Sequence, residues 1–267
     1  MDGGFVRVVR FRRRLYDLRM SRDVYVHLLP SLFDPVELRC GVAVVIDVLR
    51  ASTTIVHALA AGAESVIPCQ DLDDAKRIAA NLSTGNVLLG GERNGVLIEG
   101  FDLDNSPLRY TVESVADQTI VFTTTNGTRA LLRSRLAERI LIGSFVNLGA
   151  VVEVLQQIDG PIHLVCAGTQ GKISAEDVLF AGAVAANVSA TQRRFNTHHD
   201  ETRIAMEFYR ANSKDHATLL DAIRNGRGGK NLGVNGFDAD IQRAAQIDLF
   251  QIVPMYDSEA EVIRAIV

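Results

Sequence analysis

Residues 118–132 read QTIVFTTTNGTRALL. A β-branched and aromatic run passes into a small polar turn and then into a run of Arg, Ala and Leu. The spacing predicts a buried strand, an exposed loop and a helix N-terminus. The first N–H groups of such a helix have no intrahelical partner and carry partial positive charge. Beside Asn126 and Gly127 stand the hydroxyls of Thr124, Thr125 and Thr128 and the guanidinium of Arg129, so the turn suits a cluster of anionic oxygens, phosphate above all. Taken alone, an ordinary N-capped helix explains the same residues equally well.

The layout recurs. Residues 42–63, VAVVIDVLRASTTIVHALAAGA, are an apolar strand, a loop carrying Asp47, Arg50, Ser52 and Thr53, and an Ala-rich helix. Residues 162–188 repeat it, with Gly168, Gly171, Lys172 and Ser174 before a helix opened by Glu176 and Asp177. Strand–loop–helix units of this kind build an α/β fold: a mixed, largely parallel sheet with helices on both faces and the active site at the strand C-terminal ends. The irregular spacing excludes a solenoid repeat.

A chain of 267 residues with 47% hydrophobic and 22% charged residues has the make-up of an ordinary globular protein. Its net charge of −4 offers no basic field for nucleic acid, and no apolar run approaches the roughly 18 residues that cross a membrane. Cys40, Cys69 and Cys166 show no CxxC spacing, which suggests reduced thiols in a cytoplasm. The first 22 residues hold seven Arg against Asp2 and Asp17, a local charge of +5 that leaves −9 on the rest. This basic leader, residues 1–19, has no apolar core of a secretory signal. Met20 is followed by a sensible first strand, so the favoured reading sets residues 20–267 apart as a single α/β domain and takes Met20 as the start.

Along that domain, residues 24–29 alternate and end at Pro30, as an edge strand does. Residues 42–46 form a continuous apolar run of the kind buried on both faces, and Asp47 follows directly. Residues 65–68, 86–91, 140–143 and 252–256 are further strands. Residues 72–82 have helical spacing behind an acidic first turn, and residues 201–211 and 215–223 are also helical. Residues 91–107, GERNGVLIEGFDLDNSP, are too patterned for a plain connector and carry Glu92 and Arg93; a surface loop with Asx turns is the bland alternative. Residues 225–236 hold five Gly in twelve, after which Asp238 caps a short helix.

The chemical groups point one way. Thr125, Asn126, Gly127, Thr128 and Arg129 form the anion cradle, helped by Arg50, Ser52 and Thr53, with Arg93 close by in sequence to the next strand end. Asp47, Glu92, Glu176 and Asp177 are the carboxylates at loop tips, and hard Mg²⁺ needs only one or two of them. Glu176 and Asp177 serve equally as first-turn residues facing the helix dipole. Asp47 is harder to set aside, because an acid closing five apolar residues needs donors or a metal. DVLRAST lacks the second Asp of a phospho-aspartyl motif, and there is neither a P-loop nor a GxSxG elbow. A Cys166 nucleophile with Lys172 six residues on is a weak alternative. His27, His57 and His163 lie inside strands or helices and are read as structural.

Taken in order, VVIDVLRASTTI, GERNG, GFDLDNSP, TTTNGTRA and CAGTQGKISAEDVLFAG resemble the 2-phosphosulfolactate phosphatase (ComB-type) family. The likeness runs from about residue 24 to the carboxyl end; the Arg-rich leader lies outside it. It implies an α/β hydrolase, dependent on Mg²⁺, that takes phosphate off 2-phospho-3-sulfolactate on a route to coenzyme M. The partner implied is a small-molecule anionic phosphoester, with a homodimer the one protein assembly considered. On this reading Asp47, Asp177 and Arg129 are catalytic, and Asp47, Glu176 and Asp177 hold the metal. A phosphatase for another small phosphoester and a noncatalytic anion-binding module on the same scaffold remain the rival readings.

Overall fold

A computed structural model describes residues 22–82, 85–93, 95–191 and 195–266. The basic leader, residues 1–19, and Arg193 and Arg194 of the polar connection lie outside the described residues. The described part opens with β1 (Val24–His27), which stops before Pro30, and continues through two Pro-led 3-10 turns into β2 (Val42–Ile46) and α1 (Ala51–Ala60). Next come β3 (Ser65–Cys69), α2 (Leu72–Asn81), β4 (Val87–Gly91) and, after the long 91–107 loop, α3 (Val112–Val115). The quoted stretch forms β5 (Thr119–Thr123) and α4 (Gly127–Arg133), followed by β6 (Arg139–Gly143) and α5 (Leu148–Gln156). Then β7 (Ile162–Cys166) leads into α6 (Ala175–Thr191). Four helices follow, α7 (Asp200–Asn212), α8 (His216–Asn225), α9 (Arg227–Val234) and α10 (Asp238–Ala244), before β8 (Val253–Asp257) and β9 (Val262–Ile266). Among the described residues no helix is long and apolar enough to cross a membrane.

The strands make one nine-stranded sheet in the order β1-β7-β2-β6-β8-β9-β3-β5-β4. β1, β7, β2 and β6 are parallel, as are β3, β5 and β4, so the fold is α/β with a mixed, largely parallel sheet. Between the two parallel blocks runs the antiparallel pair β8–β9, of which β9 has no counterpart among the sequence-based strands. Asp238 is also not a cap: Phe237 takes that position, and Asp238 receives Arg224 Nε at 3.0 Å.

Burial on both faces explains why β2 reads as unbroken apolar residues. Val42, Val44 and Ile46 join one core cluster with α5 and α6, whereas Ala43 and Val45 join a second with α1 and α4. That second cluster also takes Ile120 and Phe122 of β5, Val66 of β3 and Ile140 and Ile142 of β6. Both parallel blocks thus turn the same face onto α1, which requires a strongly coiled sheet; strand twist accumulated over nine strands supplies the curvature. The coiling brings the C-terminal ends of β2, β4, β5 and β7 to one cleft.

Candidate active site

The loop after β2 is fixed by its own hydroxyls. The Asp47 amide donates to Ser52 Oγ at 2.9 Å, Ser52 Oγ donates to the Val45 carbonyl at 3.2 Å, and Thr53 Oγ1 donates to the Val48 carbonyl at 2.7 Å. Ser52 and Thr53, expected to bind substrate, are therefore buried behind the cleft wall and shape the loop. What they present is Asp47, whose carboxylate accepts the amides of Ala51 and Gly127, the first residues of α1 and α4. Burial, with the negative charges of Glu92 and Glu176, nevertheless pushes its pKa up to about 7.

At α4, two of the amides expected to form a cradle are engaged within the chain. The Gly127 amide is taken by Asp47, and the Thr128 amide donates to Thr124 Oγ1 at 3.3 Å. Buried N–H groups find a partner, and here the chain supplies its own oxygens before any ligand arrives. Thr128 lies buried behind the wall, whereas Arg129 is exposed on the outer side of α4 and is not in the wall. Arg93 is also outside the wall, donating to the carbonyls of Glu92 and Gln70. Thr125 and Asn126 do line the cleft. The Thr125 amide and hydroxyl both donate to Glu92 Oε1 at 3.3 Å, and Asn126 Oδ1 accepts the Gln170 amide at 3.2 Å, joining the loops after β5 and β7.

Glu176 and Asp177 lie beneath the cleft at the start of α6, both buried. Asp177 has both oxygens occupied, accepting the Val48 amide and the Gly168 amide at 2.9 Å each. It ties the loop after β2 to the loop after β7 instead of lining the cleft, and Gly168, with φ of +68°, supplies the left-handed backbone this tie uses. Burial first, then Asp47 and Glu176, raise its pKa well above the ordinary carboxylate value. Glu176 Oε1 accepts the Gly228 amide at 2.9 Å, while Oε2 is buried with no hydrogen-bond partner among the described residues. A Cβ on Gly226 or Gly228 would collide with these oxygens, which accounts for two of the glycines in the 225–236 stretch. The stretch is helix α9, and its Gly228, Asn231 and Val234 form one side of the cleft.

The cleft has a volume of about 360 Å³. Asp47, Arg50, Glu92 and the amides of Asn105, Gln170 and Asn231 give it its polar walls. Arg50 is buried and already neutralised: Nη1 donates to Asp240 at 2.7 Å, Nη2 to the Gly95 carbonyl at 3.0 Å, and its Cζ lies 4.3 Å from the Phe237 ring centre. Ser106 Oγ donates to the other Asp240 oxygen at 2.7 Å. Glu92 is one of the four loop-tip acids the sequence offers for a metal, whereas Asn105, Gln170 and α9 are not among the expected binding residues. Glu92 alone carried a signal, as an acid at a strand end; the amides are of a type found in any loop.

A family model described as 2-phosphosulpholactate phosphatase matches residues 28–259. The chain belongs to the 2-phosphosulfolactate phosphatase family. That is a family of enzymes, phosphoric monoester hydrolases. A probable 2-phosphosulfolactate phosphatase of Symbiobacterium thermophilum is 40% identical over 227 residues, 85% of this chain and 95% of the relative. Those of Thermotoga petrophila, at 43% over 220 residues, and Caldanaerobacter subterraneus, at 38% over 211, cover 82% and 79% of this chain and 90% and 86% of the relatives.

Proposed function

We propose that this chain is a Mg²⁺-dependent phosphatase that hydrolyses 2-phospho-3-sulfolactate to 3-sulfolactate and phosphate, a step of the coenzyme M type. The observation that carries the reading is the charge of the cleft. Among the described residues, Asp47 and Glu92 line it, Glu176 lies beneath it with one oxygen unpartnered, and Arg50, the one cationic side chain in the wall, is already paired with Asp240. A substrate bearing phosphate, carboxylate and sulfonate would be repelled by such a cleft unless a cation joined it. Two hard carboxylates at the cleft surface suit Mg²⁺, which completes its shell with water and substrate oxygens. Asp47 and Glu92 would hold the ion, with Glu176 beneath adding negative charge, and Asp177 would keep the loops in register. When bound, Mg²⁺ supplies charge neutralisation at the phosphoryl oxygens.

The chain's own groups do the rest. Asp47 orients the attacking water, whose oxygen bonds to phosphorus as the bond from phosphorus to the lactate oxygen breaks and that oxygen takes up a proton. Arg50 and the Thr125 hydroxyl face the phosphoryl group, and the amides of Asn105, Asn126, Gln170 and Asn231 are donors for the sulfonate and carboxylate. The names of the relatives support the substrate. Phosphate release from 2-phospho-3-sulfolactate and from phospholactate, which lacks the sulfonate, tests it. Turnover of the first at least roughly a hundredfold above the second is expected if the amide wall reads the sulfonate. Equal turnover would favour another small phosphoester, and binding without turnover a noncatalytic module.

A further inference from the structure

A second group of metal-ligating side chains lies far from this chemistry. Asp23 directly precedes β1, so it stands at the N-terminal end of the parallel strands, whereas the cleft is at their C-terminal ends. His198 and His199 come from the segment that leads into α7. Each of the three offers one ligand atom, and these atoms all lie within 4.8 Å of one another. We propose that Asp23, His198 and His199 form a second cation site, for a borderline divalent ion such as Zn²⁺, that clamps edge strand β1 to the start of α7.

The two segments are already locked in register. The Val24 amide donates to the Asn196 carbonyl at 2.8 Å, the Asn196 amide to the Arg22 carbonyl at 2.9 Å, and Asn196 Nδ2 to Asp23 Oδ1 at 2.9 Å. Tyr25 Oη donates to Asp23 Oδ2 at 3.2 Å, the kind of outer hydrogen bond that orients a ligating carboxylate. The His199 ring lies 4.3 Å from the Tyr25 ring and 4.6 Å from the His198 ring, tilted by 32° to each, so its orientation is set by ring packing on both sides. His199 Nε2 is closed off from solvent and has no hydrogen-bond partner among the described residues, which leaves that ring with donor capacity unused. His198 is exposed and gives an ion entry from water.

Two imidazoles and one carboxylate favour Zn²⁺, Co²⁺, Ni²⁺ or Cu²⁺ over the all-oxygen preference of Mg²⁺ and Ca²⁺. The two sites are therefore separable by ion type. Untagged, metal-stripped full-length protein is titrated with Zn²⁺ in a large excess of Mg²⁺, which occupies the cleft acids. Uptake of Zn²⁺ weakened roughly tenfold or more by His198→Ala and by His199→Ala is expected, with phosphate release at saturating Mg²⁺ unchanged in His198→Ala. Zn²⁺ at about a hundred times its dissociation constant is expected to raise Tm by roughly 5–10 °C in the wild type and not in His198→Ala. In the wild-type protein, Co²⁺ should broaden the ring resonances of His198 and His199 before any others. Zn²⁺ affinity unchanged in both variants, uptake abolished by Asp47→Asn instead, or sharp His198 and His199 resonances in Co²⁺ would each overturn the assignment.

Discussion

Asp47 holds two helix N-termini and faces two acids, and these neighbours pull its proton affinity in opposite directions. The Ala51 and Gly127 amides favour the carboxylate; burial, Glu92 and Glu176 favour the acid and prevail, at about pH 7. In the unfolded chain the same group titrates near 3.9. A folded pKa above the unfolded one means the folded state binds the extra proton, so this group's contribution to stability is fully present below about pH 4 and is lost as pH rises through 7. Without divalent cation, Asp47→Asn is accordingly expected to be more stable than wild type at pH 8, by about 2–4 kcal/mol, and to show no gain at pH 4. Denaturant melts at both pH values check this, and a variant less stable at pH 8 would contradict it. Turnover should fall by roughly a thousandfold in the same protein. Arg129 is a contrasting case. Its exposed position predicts that Arg129→Ala changes kcat/KM less than about threefold, as surface positions away from a site do; steady-state kinetics with loss beyond roughly a hundredfold would restore it to the phosphate site. Asp47 was legible in the sequence because an acid closing an apolar strand must be compensated. The hydroxyls of Ser52, Thr53 and Thr128 bond within the chain, a placement the sequence does not show because residue type does not reveal whether a hydroxyl bonds a ligand or its own chain. The exposure of Arg129 depends on helical phase: residues 127, 128, 130 and 131 face inward, and position 129 faces away.

Among the elements, α9 best shows what a residue pattern hides. Three glycines are unfavourable in an eight-residue helix, so propensity argues against the conformation that is found. Two of the glycines of this stretch exist to let Glu176 approach, a tertiary reason that local sequence does not carry. A Cβ at Gly228 would displace Glu176 and tilt the helix that walls the cleft, whereas one at Gly233 meets nothing within 4 Å. Gly228→Ala is expected to cost about 1–3 kcal/mol and to weaken Mg²⁺ activation, and Gly233→Ala to add up to about 1 kcal/mol with activity kept. Equal behaviour of the two in melts and kinetics would remove Glu176 as the reason for the glycines. At the other edge, β1 and β7 bury His27 and His163, 3.0 Å apart. Burial lowers His27 to about 4, and burial with His27 alongside lowers His163 to about 3. Their stability contribution is present above the ordinary 6.5 and is lost between 6.5 and those values, as the unfolded chain takes up protons first. Replacing both with Gln should therefore spare about 2 kcal/mol per histidine of the loss between pH 7 and pH 5, read as a shallower stability profile; a profile parallel to wild type would contradict it. Both histidines lie buried within strands, where the sequence pattern puts them. Strand β9 was not read at all, since five residues with Arg264 exposed resemble any chain end until β8 and β3 pair with them.

Over the whole molecule, strand twist and charge decide what the protein does. Three strand–loop–helix units were visible as apolar runs meeting polar loops, and they do converge on one cleft. The means of convergence, a coiled sheet split by an antiparallel pair, was beyond local pattern because it depends on pairings nearly 200 residues apart, Val66 with Ile263 among them. Convergence gathers more acid than base at the cleft, so under the proposed function its capacity to take an ester bearing phosphate, carboxylate and sulfonate rests on a cation. Phosphate release from 2-phospho-3-sulfolactate, followed in metal-stripped protein as Mg²⁺ is added back, tests this most directly. The account predicts turnover near zero without Mg²⁺, saturable recovery in the wild type, and little recovery in Asp47→Asn at any Mg²⁺ concentration. Full turnover in the stripped protein, unaffected by added Mg²⁺, would contradict it.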